Sequence, residues 1–125
     1  MLNILAVGAG GFLGSVCRYL INLIKINETT LFPLKTFGIN IVGCIVIGII
    51  AVLASKNAEV NPYVLLFLKV GLCGGFTTFS TFALETSDLI KTGHIVVAFL
   101  YAALSVLAGV AVIFMVEYMT VKFLR

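Results

Sequence analysis

Four stretches of this chain, at about 5–24, 36–54, 64–90 and 95–119, are almost wholly apolar. Each can cross a bilayer, whose ~30 Å hydrocarbon core takes about 20 residues of α-helix. This pattern predicts an all-α membrane protein with four transmembrane helices. Residues 1–125 form a single transmembrane domain on this reading. The composition agrees, at 62 % hydrophobic and 10 % charged. Soluble domains carry about 25 % charged residues, so this chain cannot cover itself with a wettable surface. It is expected in a cell membrane, plasma or inner, as a multi-pass protein with the lipid bilayer around it. No Lys or Arg precedes Arg18, so the first stretch lacks the basic start of a signal peptide and reads as a mature span.

The third stretch is longer than a membrane requires. Its roughly 27 residues would reach about 40 Å as one straight helix. Near its middle lie Gly71, Gly74 and Gly75, followed by Thr77, Thr78, Ser80 and Thr81. Glycine weakens a helix interior, and Thr and Ser offer the backbone competing hydrogen bonds. The third helix is therefore expected to break near 74–78, close to the membrane midplane. Unwound backbone at that depth is tolerated only within protein or beside a water-filled cavity. Channels and transporters place ion sites at such breaks.

Several functions are excluded. No nucleophile–base pair, carboxylate pair or metal-ligand cluster is visible, so enzyme activity is not expected. Gly74-Gly75 is followed by Phe76-Thr77, not by the Lys-Ser/Thr of a phosphate-binding loop. The run 8–14 lacks the strand–turn–helix context of a dinucleotide fingerprint. The net charge of +3 forms no basic tract, so no nucleic-acid partner is expected. Cys17, Cys44 and Cys73 read as reduced, buried apolar residues, and His94 as a solvated loop histidine.

What remains is polar chemistry inside the spans. Arg18 reads equally as a snorkelling side chain or as the positive end of an anion path. Asn40 is the strongly polar residue inside the second span, and Tyr101 and Ser105 interrupt the fourth. Phe76, Phe79 and Phe82 recur three residues apart, with Thr77, Ser80 and Thr81 on a different face. An aromatic ring has a positive edge, so phenylalanine edges can face an anion while hydroxyls donate to it. The carbonyls of an unwound turn suit a hard cation instead.

Charge also bears on assembly. Lys56, Lys122 and Arg125, with Lys69 near by, fall on the side of the termini. Lys25, Lys35 and Lys91, with Arg18 near by, fall on the other. The positive-inside signal is balanced. Such a chain is expected to insert both ways and to pair with itself as an antiparallel dual-topology homodimer.

The run GLCGGFTTFSTF at 71–82, with Glu85 after it, resembles the signature of the CrcB/Fluc fluoride channels. The resemblance extends to residues 10–19 and to Asn40 with Gly43, and so covers nearly the whole chain. It implies a dual-topology homodimer with two anion pores. Phe79 and Phe82 would line the pores, with Asn40, Ser80 and Thr81 as polar contacts. Arg18, Glu85, Tyr101 and Ser105 are further candidates for the pathway. The backbone carbonyls of Gly74 and Thr77 from both subunits would hold a structural Na⁺ at the dimer interface. Ala83 departs from the family pattern, in which a Ser commonly follows the second pore Phe; this removes one hydroxyl contact. The implied function is passive, fluoride-selective export that gives fluoride resistance. The competing reading is a small dual-topology proton-coupled multidrug exporter, which requires an acidic residue buried in a span. The first two stretches contain none. A third reading, a helper subunit that transports nothing, accounts for the glycines but not for a polar break.

Overall fold

The computed structural model describes residues 1–25, 30–57 and 60–124. Arg125, counted among the orienting charges, lies outside the described residues. Four helical segments are long and apolar enough to cross a membrane: Leu2–Leu23, Leu34–Lys56, Pro62–Lys91 and Ile95–Phe123. The first two are single helices, α1 (Leu2–Leu23) and α2 (Leu34–Lys56). The third is composite. It begins with α3 (Pro62–Leu65), continues through a π-helical stretch, Leu66–Cys73, and passes into α4 (Gly74–Phe76). Helix α5 (Phe79–Lys91) follows, and then α6 (Ile95–Phe123).

Local chemistry sets the ends of these elements. Asn61 caps α3 by accepting from the Tyr63 N–H at 2.9 Å, and Pro62 supplies the preset φ of a first helical turn. Thr78 caps α5 by accepting from the Thr81 N–H at 3.2 Å. After α5 the chain turns through Gly93 at φ +83°, a left-handed conformation that favours glycine. Helices α1 and α6 run past the apolar stretches 5–24 and 95–119, starting at Leu2 and ending at Phe123. Backbone bonding continues through Asn3 and Lys122 because neither of them breaks a helix. Hydropathy marks the membrane and not the helix end.

Helix α1 lies along the π-helical stretch and α4, and glycines permit the approach. A methyl group at Gly14 would sit 2.8 Å from the backbone N of Phe76, and one at Gly71 would sit 2.7 Å from the carbonyl of Val7. Real side chains do not tolerate such distances, so this is backbone against backbone. Small residues at a helix crossing give this contact in lipid, where apolar burial drives nothing. Helix α2 packs on α6, and α5 packs on the start of α6. At that second contact Leu89, Ala98 and Tyr101 are buried, with Phe32, Phe37, Phe82 and Val97 around them.

Candidate functional site

Between α4 and α5 the backbone is extended, with Thr77 at φ −77°, ψ 160° and Thr78 at φ −150°, ψ 114°. Asn40 of α2 holds this turn. Its Oδ1 accepts from the Thr78 N–H at 2.9 Å, and its Nδ2 donates to the Thr78 carbonyl at 3.2 Å. The Asn side chain therefore pairs with one residue's backbone as a strand neighbour would.

That pairing has a consequence for two other groups. In an uninterrupted helix the N–H of Thr78 would serve the carbonyl of Gly74, and that of Thr81 the carbonyl of Thr77. Here the first goes to Asn40 and the second to Thr78 Oγ1. The neighbouring carbonyls are engaged. Cys73 O accepts from both the N–H and the hydroxyl of Thr77, at 3.0 and 2.8 Å. Gly75 O accepts from Arg18 Nε at 3.1 Å and from Ser15 Oγ at 3.5 Å. Arg18 thus crosses from α1 to hold a carbonyl beside the turn.

Beside this turn is a half-open cavity of about 390 Å³. Its wall includes Asn40, Lys69, Thr78, Phe79, Phe82 and Ser105. Phe79 is 79 % exposed, and its ring lies 5.6 Å from that of Phe82. Ser105 Oγ is buried and has no hydrogen-bond partner among the described residues. Ser80 and Thr81, expected alongside the two rings, do not line this cavity. The Thr81 hydroxyl accepts from Thr78 Oγ1 at 3.0 Å, and Ser80 Oγ lies 3.4 Å from the same atom.

Phe82 leads to a second group. Its ring is 5.0 Å from that of Tyr101, which is completely buried. Tyr101 donates its hydroxyl to Glu85 Oε2 at 2.7 Å, and Thr36 of α2 donates to Glu85 Oε1 at 2.7 Å. Glu85 in turn borders another cavity, of about 370 Å³, walled also by Phe32, Lys35, Asp88 and Thr92. Phe82, Tyr101 and Glu85 therefore form a chain of contacts from one cavity wall to the other. Sequence reasoning missed Thr36 and Thr78. Thr36 lies one turn before Asn40, on the same face of α2, and that i, i+4 spacing of polar residues was the available signal. Thr78 stands where a capping hydroxyl precedes a helix.

A family model described as CrcB-like protein, Camphor Resistance (CrcB), matches residues 5–116. The chain belongs to the CrcB family. The CrcB match takes in every residue of the two cavities and the turn between α4 and α5. Relatives agree along nearly the same length. A Chlorobaculum tepidum protein named fluoride-specific ion channel FluC is 46 % identical over 114 residues, 91 % of this chain and 90 % of its own. A Flavobacterium psychrophilum protein of the same name is 47 % identical over 111 residues, 87 % of this chain and 89 % of its own. A more distant one, from Methylobacillus flagellatus, is 38 % identical and still covers 92 % of this chain and 91 % of its own.

Proposed function

We propose that this chain is a fluoride-selective channel that lets the anion leave the cell passively. The observation that carries the reading is its 46 % identity, over nine-tenths of both chains, to a protein named a fluoride-specific ion channel. The cavity chemistry supports it. Fluoride holds its water tightly, so a path that prefers it to chloride has to be narrow and must replace that water. Ring edges of Phe79 and Phe82 and the unpartnered hydroxyl of Ser105 offer positive partial charge without a bulky cation. HF crosses membranes uncharged and dissociates inside, and an inside-negative potential of ~100 mV favours outward movement of the anion by about 2.3 kcal/mol. No coupled energy source is needed. The multidrug-exporter reading has no support among these three relatives, each named for fluoride.

The working unit on this reading is an antiparallel homodimer, with the third helix broken at 77–78 near the membrane midplane. The carbonyls of Gly74 and Thr77 fit a hard cation such as Na⁺: they are oxygen donors, and the N–H groups that would occupy them point elsewhere. The Gly74 and Thr77 carbonyls of both subunits would hold such an ion, which would supply positive charge between the two turns without being transported. Ion flux from liposomes tests the function. Purified protein should release fluoride and retain chloride. Equal release of both, or of neither, overturns the reading.

A further inference from the structure

Lys69 is one charge in the orientation balance, and it also lies inside a span. Lys69 sits in the π-helical stretch, about 10 Å along the axis from Pro62 at ~1.5 Å per residue. An ammonium at that depth is costly unless it meets water or a partner, and in spans such residues mark ion paths. Its side chain is exposed, and it forms part of the wall of the cavity that holds Phe79, Phe82 and Ser105. Among the described residues, that wall contains no Asp and no Glu. The cavity bordered by Glu85 has a different character, with Glu85, Asp88 and Lys35 all on its wall. One fixed positive charge, uncompensated on its own wall, therefore stands where an anion would approach the two rings.

We propose that Lys69 is the anion-collecting residue of the pore mouth, raising the local fluoride concentration in front of Phe79 and Phe82. This rests on the channel reading. A cleft lined by one sign of charge between low-dielectric walls concentrates the opposite ion, and the effect weakens with salt. Lysine suits the task better than a residue that binds tightly. Its ammonium is strongly hydrated and mobile on a flexible stem, so it attracts the anion without trapping it.

The test is fluoride efflux from liposomes for the unmutated chain, K69M, K69Q and K69R, each at about 0.01 M and about 1 M of an impermeant salt. Reconstitution of purified protein keeps any effect on membrane insertion out of the readout. At low salt K69M and K69Q should lose about tenfold in flux and K69R should recover most of it. At high salt, where the Debye length falls from ~30 Å to ~3 Å, the gap should close. Loss of flux in K69M that is the same at both salt concentrations, or that K69R does not relieve, overturns the inference in favour of a packing role. Full flux from K69M overturns it too. If neither neutral variant assembles, Lys69 is a structural residue and the inference fails. Absence of flux from the unmutated chain overturns the channel reading itself, and this one with it.

Discussion

Phe79 and Phe82 share a cavity wall but differ in what else they touch. Phe79 meets Phe82 and is otherwise open, whereas Phe82 also stacks on the buried Tyr101. Replacing either by Ile keeps apolar bulk and removes the charged-edge ring. Each substitution should lower fluoride flux strongly and leave the protein folded. Phe82→Ile should also cost stability, since an aromatic pair contributes about 0.5–1.5 kcal/mol beyond its buried area. Phe76→Ile, away from the cavity, should change flux little; if all three act alike in the liposome assay, the ring chemistry is not what matters. Tyr101→Phe removes one of the two donors to Glu85 and should cost about 1 kcal/mol, read as a lower melting temperature in detergent. The convergence of Phe79 and Phe82 was legible because three residues of helix place two rings on one face. The link from Thr36 to Glu85 to Tyr101 was not legible, because its members lie 49 and 16 residues apart and only packing brings them together.

Among the elements, α1 and the composite segment 62–91 depend on each other through backbone contact. Gly14→Ala pushes a methyl group onto the backbone at Leu72 and Phe76, neither of which can yield without moving the helix. It should reduce the folded yield sharply, measured as monodisperse protein by gel filtration. Gly74→Ala is the useful contrast. Among the described residues of one protomer nothing lies within 4 Å of a methyl group placed there, so the protomer fold should survive. If Gly74 faces a second copy across a cation, the dimer should weaken while the monomer remains folded. An unchanged dimer would count against that site. The four spans were legible from hydropathy alone, because about 20 apolar residues can do little else in this setting. The small-residue spacing of Gly10 and Gly14 was visible too. Its partner surface was not, since it is a π-helical stretch whose winding leaves no composition signature. Nor could sequence reveal that Asn40 would bond the Thr78 backbone from both ends of its amide.

For the whole molecule, exposed apolar surface and the placement of charge govern assembly and orientation. Large apolar side chains are exposed on every long helix, including Phe12 on α1 and Phe114 on α6. One protomer therefore leaves surface for lipid and for a second copy alike. The lysines and arginines fall evenly on the two sides, so the charge bias that normally fixes orientation is absent. Lys56 donates to the Val121 carbonyl at 3.2 Å, which ties the last turn of α2 to α6 and commits that charge to one end of the bundle. Balanced charge predicts that both orientations coexist in one membrane. C-terminal reporters, one active only inside and one only outside, should each give signal from the same chain. A single clean orientation would rule out the antiparallel dimer, since its two subunits must face opposite ways. Adding two lysines to the loop near Lys91 should drive the population to one orientation. If the pore needs both orientations, that variant should insert normally and yet lose fluoride resistance in cells. Co-expressing a second variant, with two lysines added beside Lys56, should restore it. Restored resistance from two individually inactive chains requires subunits of opposite orientation to meet, and parallel pairs have no means of producing it.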